Sequence, residues 1–150
     1  MLSNTFRIFG LLILALLVFF VINRASTAKE PVAKATVGFM DALASGSQSA
    51  LEPYLDPDAA TLVAAGDRVT VIKFKELNFT DSAFSRRPAV TYNYLELKAK
   101  RVNLDERPVT LPEQKIATVP LIDGGSIYLR EREGQWVVFY ISTAEQEKAQ

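Results

Sequence analysis

Residues 126–143, Ser126-Ile127-Tyr128-Leu129-Arg130-Glu131-Arg132-Glu133-Gly134-Gln135-Trp136-Val137-Val138-Phe139-Tyr140-Ile141-Ser142-Thr143, carry the clearest structural signal in the chain. β-branched and aromatic residues dominate both halves, so Ser126–Arg132 and Gln135–Thr143 read as strands. Glu133-Gly134 between them is a two-residue antiparallel hairpin turn. Trp136 lies in the closing strand and is expected to be buried, with about 3–5 kcal/mol lost on truncation to alanine.

Toward the N-terminus, Asp123-Gly124-Gly125 makes a second tight hairpin to a strand over Gln114–Ile122. Pro112 and Pro120 place that strand at an edge, or with a break in its ladder. Val69–Phe79 and Ala89–Leu104 complete five strands. Val90, Tyr92 and Tyr94 share one face of the latter, whereas Leu95, Leu97 and Ala99 share the other. Val69 and Val71, followed by Ile72 and Phe74, show the same switch. A half-buried strand changes its buried face only through a bulge or a bend. A curved sheet able to wrap a helix is expected.

Before Arg68 the period is helical. Pro31 suits a first helical position, and Val32, Ala35, Thr36, Phe39, Met40 and Leu43 form one apolar face. Gly46 fits the left-handed residue that ends such a helix. Ser49-Ala50-Leu51-Glu52 has capping-box spacing for a short second turn. Asp56 as cap, Pro57 in first position, Ala59–Ala65 as body and Gly66 as stop predict a third helix.

The first 28 residues differ from the rest. Ile8 to Ile22 is an unbroken apolar run between Arg7 and Arg24. As a helix it measures roughly 22 Å, against a hydrocarbon core of about 30 Å. Phe6 and Asn23 extend it, and both arginines can snorkel toward headgroups. We expect a retained membrane anchor with Ile8, Leu11, Leu12, Leu14, Leu16, Phe19, Phe20 and Ile22 in the lipid. A cleaved signal peptide with Ser26-Thr27-Ala28 as its cleavage site is the alternative. The export-like layout places the domain outside the cytoplasm, periplasmic or extracellular. The expected organisation is an anchor over 1–28, one α+β domain over 29–143 and a polar tail over 144–150.

The whole chain has 17 basic and 17 acidic residues, no histidine and no cysteine. Two of the basic residues precede Lys29, so the domain carries a small acidic excess, against nucleic-acid binding. No cofactor motif is present.

Phe39-Met40-Asp41-Ala42-Leu43-Ala44-Ser45-Gly46, then Leu51 and Tyr54-Leu55-Asp56-Pro57-Asp58, and finally the closing hairpin Tyr128–Phe139, resemble the NTF2-like family. This is the cone-shaped fold that includes ketosteroid isomerase and SnoaL-type proteins. The resemblance covers roughly residues 31–143 and implies leading helices packed on a curved antiparallel sheet. The family's enzymes place Asp, Tyr or His in the cone, and none of their catalytic carboxylates maps onto this chain. Some membrane-anchored secretion-system components carry the same fold.

Each candidate site residue has a structural rival. Asp41 is a general base only if it points inward, and is otherwise a solvated helical acid. Tyr92 and Tyr94 line a ligand cavity, or pack in the core. Asp105-Glu106 is too isolated for a metal site. Lys73, Lys75, Lys98, Lys100 and Arg101 meet anionic headgroups, or form a solvated face neutralised by Glu76 and Glu96. Asn78-Phe79-Thr80 is a glycosylation sequon that matters only in a secretory setting. Phe84, Arg86 and Arg87, in the longest connection between strands, have the composition of an interface.

The leading expectation is a non-enzymatic, single-pass accessory or scaffolding subunit. Its partners would be membrane lipid and an integral membrane complex or a second copy of itself. The alternative is a small-ligand carrier, or a weak enzyme, using the cone cavity. A cone filled by Phe and Leu favours the first, and an open pocket walled by aromatics favours the second.

Overall fold

The structure is a computed structural model that describes residues 2–77, 86–105, 109–111 and 115–148; of residues 2–7, 9, 19–30 and 109–111 only the backbone is described. It is α+β, with helices and, in place of the one curved five-stranded sheet expected, two small antiparallel sheets of three and four strands. The first helix, α1, covers Leu2–Ser45. Two compact units divide the chain, Met1–Pro31 and Val32–Gln150. Pro31 therefore lies inside a helix, not at the start of one, and marks the boundary between the units.

In the first unit, Ile8, Leu11, Leu12, Ile13, Leu14, Leu16, Leu17 and Val18 are each between 51% and 68% exposed. At 100° per residue they occupy every side of the helix. Among the described residues no helix is long and apolar enough to cross a membrane. The expected span over residues 8–23 is thus not found there, and the side chains of Phe19, Phe20 and Ile22 lie outside the described ones.

In the second unit, Val32, Thr36, Phe39, Ala42 and Leu43 of α1 are buried, the face that the helical spacing predicts. Thr36 satisfies its hydroxyl by donating to the Val32 carbonyl at 2.8 Å. Gly46 closes the helix at φ +71° and donates its N–H to the Ala42 carbonyl, as expected of a left-handed terminal glycine. A Cβ on Gly38 would fall 2.5 Å from the Tyr54 ring, so glycine there allows the following turn to press against α1. That turn is α2 (Gln48–Leu51) with a 3-10 extension over Glu52–Tyr54, and its cap position is Ser47 instead of Ser49.

The predicted third helix is absent. Asp56 opens one helical turn, its carbonyl accepting from the Ala59 and Ala60 N–H groups at 3.1 and 2.9 Å. The chain then extends into β1 (Ala60–Ala65), which turns at Gly66-Asp67 and pairs with β2 (Arg68–Phe74). Alanine favours helix in isolation, but the alternating exposure of β1 and its ladder to β2 override that preference. The parity switch in β2 is a bulge: Val63 faces Val71 and Ala64 faces Val69, leaving Thr70 unmatched.

The second switch has a different cause. β3 (Val90–Asn93) pairs with β2 and ends after four residues, and Tyr94–Ala99 is a helix, α3. Asn93 caps it, its side-chain oxygen accepting from the Leu95 N–H at 3.0 Å. Tyr94 is therefore not a strand neighbour of Tyr92.

The other sheet runs β4 (Val109–Leu111), β5 (Ile116–Pro120), β6 (Gly125–Arg132) and β7 (Gln135–Thr143) in spatial order. β5 is an interior strand, not an edge; Pro120 is tolerated because it is the last residue of the strand. The β6–β7 hairpin is as expected: Glu133 and Gly134 both have positive φ between the paired Arg132 and Gln135. A bulge leaves Phe139 unmatched between Tyr140 and Val138. Trp136 is half-buried against the core instead of fully buried, so the loss of about 3–5 kcal/mol for a buried aromatic does not apply to it. The polar tail is ordered as α4 (Ala144–Lys148).

Candidate functional site

Alternation along β6 puts Tyr128, Arg130 and Arg132 on one side of the sheet. The Arg87 guanidinium lies over the Tyr128 ring at 5.5 Å, and Arg130 over the Phe139 ring at 5.4 Å. Tyr128 meets Phe139 and Tyr140 edge to face, with centroids 6.1 and 5.8 Å apart. The result is a strip in which two guanidiniums, Arg87 and Arg130, stack on a contacting pair of aromatic rings, a stabilising arrangement when the cation is partly desolvated.

A carboxylate closes each end of the strip. Asp56, with no exposed surface, binds both Arg130 and Arg132, and Arg132 also reaches Asp58 at 2.9 Å. The Asp58 N–H donates to Asp56 Oδ1 at 2.9 Å. Asp56 is carried to this place by backbone pairing: its own N–H donates to the Val138 carbonyl at 2.9 Å, and Leu55 bridges Val138 in parallel. Burial, and then the charge of Arg132, pull the Arg130 guanidinium below its ordinary range. At the other end Glu147 of α4 accepts from the Tyr128 hydroxyl at 2.8 Å and the Ser142 hydroxyl at 2.6 Å, with Arg87 at 3.5 Å.

The residues singled out in the sequence are distributed differently. Arg87 is 3% exposed, exchanges backbone hydrogen bonds with Leu77 and belongs to the strip, so it is not an exposed interface residue. Arg86 is exposed and paired with Glu76 at 2.6 Å, while Phe84 and the sequon at Asn78 lie outside the described residues. Tyr92 and Tyr94 do not line a cavity together. The Tyr92 hydroxyl donates to the Ile141 carbonyl at 2.7 Å, and that of Tyr94 to the Leu43 carbonyl, so both act as ties between elements. Asp41 and Asp105 are exposed, and Glu106 is outside the described residues. Lys73, Lys75, Lys98 and Arg101 are exposed, whereas Lys100 pairs with Asp123 at 3.6 Å. Among the described residues no group of three or more Asp or Glu is placed to hold a metal ion.

The described core has one tight point. Phe39, Leu43, Leu97, Leu121, Ile127 and Ile141 close around a space with no room for a water molecule. An open groove of about 410 Å³ lies elsewhere, between the α2 turn and β1, lined by Gln48, Glu52, Leu55, Pro57 and Leu62 among others.

No family model, curated protein or solved structure matches this chain. The likeness to NTF2-like proteins therefore rests on the quoted residues alone.

Three buried tyrosines, Tyr92, Tyr128 and Tyr140, are expected to set the alkaline limit of the fold. Burial above all, then the hydrogen bond to Glu147, pushes Tyr128 up from 10.0 to about 12. Burial is also the leading cause of the upward shifts of Tyr92 and Tyr140. A raised folded-state value means that the contribution is complete below the unfolded value near 10 and is lost as pH rises through the folded ones. The unfolding midpoint should hold steady up to about pH 9 and fall steeply above 10. Tyrosinate absorbance from these three rings should appear together with unfolding. Their independent titration in the folded chain would show the rings to be solvated.

Proposed function

We propose that this chain is a membrane-anchored, non-catalytic interaction module of NTF2-like fold. Its apolar N-terminal run holds a packed domain at the extracytoplasmic face of a bilayer, and that domain pairs with a second copy of itself. The observation that carries the reading is the exposure, on every side of the helix, of Ile8, Leu11, Leu12, Ile13, Leu14, Leu16, Leu17 and Val18. Fully covering a fully exposed large apolar side chain is worth about 1.5–3 kcal/mol, so eight that are a little over half exposed represent on the order of 10 kcal/mol. A helix apolar on every side has no face to turn to water, and lipid covers all sides at once. Over Ile8–Ile22 the run is roughly 22 Å long, short enough to need Arg7 and Arg24 at the two headgroup layers.

The space among Phe39, Leu43, Leu97, Leu121, Ile127 and Ile141, with no room for a water molecule, supports an interaction role over the cavity-using alternative. The amphipathic face of α1, the bulged strands and the closing hairpin support the NTF2-like reading. The pairing surface is the outer edge of β1. Lys75 donates to the Ala59 carbonyl, and Ala60 directs its N–H away from β2 to Asp56. By alternation the Leu62 N–H and C=O also point outward. The edge carries no charge and no proline, the usual guards against strand addition. Ala60-Thr61-Leu62-Val63-Ala64 is near-symmetric about Leu62, because threonine and valine share a shape. Two copies related by a two-fold axis can thus pair antiparallel, Leu62 on Leu62, with Thr61 facing Val63.

Vesicle flotation and sedimentation test the two halves. The whole chain should float with lipid vesicles, and a chain lacking residues 1–28 should not; a full chain that stays in the aqueous fraction overturns the anchor. The truncated chain should sediment as a dimer. Thr61→Lys with Val63→Lys sets lysine against lysine across the two-fold axis. That pair of changes should weaken dimerisation at least tenfold, about 1.4 kcal/mol. A dimer unaffected by the two lysines places the interface elsewhere.

A further inference from the structure

We infer that Arg87, Tyr128 and Ser142 form a carboxylate-binding pocket, occupied by the chain's own Glu147, from which α4 can be displaced by an external carboxylate. The three donors come from three places: the segment beside Leu77, β6 and β7. All are buried, at 3%, 2% and 0% exposure. All converge on one oxygen, Glu147 Oε1, from 2.8 Å (Tyr128), 2.6 Å (Ser142) and 3.5 Å (Arg87). A guanidinium with two hydroxyls is the donor set for a carboxylate.

The donors are held in place by contacts that do not involve Glu147. Tyr128 is wedged against Phe139 and Tyr140, and Arg87 is stacked on its ring. The Ser142 hydroxyl accepts from the Ser126 N–H at 3.0 Å. Arg87 is clamped to Leu77 in both directions, and next to it the Tyr140 hydroxyl donates to the Pro88 carbonyl at 2.7 Å. The occupant is held more lightly. α4 has five residues, none buried, and the Glu147 side chain is 37% exposed. Its other described ties are those of Gln146, to Arg87, Thr143 and the Tyr140 hydroxyl. The 3.5 Å separation from Arg87 is longer than the 2.7–2.9 Å of a close charge-assisted bond. Glu147 reaches the pocket from a short tether. A carboxylate free to approach along the guanidinium plane meets no such restraint.

Glu147→Ala leaves a Cβ, and the atoms removed correspond to acetate, which is therefore the probe. In the full chain in detergent at pH 7, Glu147→Ala should unfold several degrees below the unsubstituted protein. Acetate should restore the midpoint saturably, and chloride at equal ionic strength should not. Adding Tyr128→Phe to Glu147→Ala removes one donor and should raise the acetate concentration for half-rescue about tenfold. In the unsubstituted chain, acetate should shift the amide resonances of Gln146 to Lys148 toward those of an unstructured segment. A short peptide with a free C-terminal carboxylate should compete with acetate, and its amidated form should not, if a peptide end is the natural source; a small acid is the source if neither peptide competes. Equal effects of acetate and chloride on Glu147→Ala overturn the pocket. Rescue of the variant with α4 resonances unmoved in the unsubstituted chain overturns displacement and leaves Glu147 as a fixed internal clasp.

Discussion

Asp56→Ala is expected to remove about 3 kcal/mol of stability, read as a lowered urea midpoint with an unchanged slope. The carboxylate has no exposed surface and binds two guanidiniums that are each about one-third exposed. Removing it leaves Arg130 and Arg132 facing each other across the space it occupied. Their exposed portions recover some hydration, which keeps the loss at the lower end of the 3–5 kcal/mol typical of a broken buried pair. The turn also loses the Asp58 N–H bond to the carboxylate. Asp56→Asn separates these contributions, because an amide oxygen still accepts that bond but no longer balances the arginines. Equal midpoints for Asp56→Ala and the unsubstituted chain would show that the arginines are satisfied by water.

Phe39→Ala should destabilise by about 3–5 kcal/mol, a large part of the 5–15 kcal/mol typical of a whole domain. Phe39 has no exposed surface and sits where α1 meets Leu97 of α3, Leu121, Ile127 of β6 and Ile141 of β7. The neighbours come from four separate segments, so they cannot all move inward to fill the space left by the ring. Phe39→Leu retains most of the volume and should lose less than half as much. A loss below 1 kcal/mol on truncation to alanine would mean that the helix is not seated on the sheet.

The parts of the fold that could be read from the sequence are those decided by neighbours along the chain. The closing hairpin depends on period-two patterning and on two adjacent residues with positive φ, and its strands fall where the pattern puts them. The buried face of α1 follows in the same way from spacing. Residues 56–65 read as a helix because alanine and an Asp-Pro start favour one locally, whereas the ladder to β2 that makes them a strand is a longer-range interaction. Tyr94–Ala99 reads as strand because period-two alternation resumes after a change of face, which a bend also explains; the stop signal is Asn93, a capping residue between two tyrosines. The guanidinium–aromatic strip was missed for a related reason. Tyr128, Arg130 and Arg132 do alternate in the sequence, but Asp56 lies 76 residues from Arg132, and no local pattern joins them. Arg87 reads as an interface residue because it lies in the longest connection, and the backbone exchange with Leu77 takes it inside.

The order of synthesis adds a consequence of the pairing between residue 55 and residue 138. Leu55 and Asp56 have no partner until Val138 has been made, and Phe39 lacks Ile141 until later still. At ~5–20 residues per second, roughly 6–25 seconds separate the making of Ile22 from that of Thr143. For all of that time the apolar run exists and the domain does not. If the run is inserted as proposed above, insertion can therefore begin before the domain has folded.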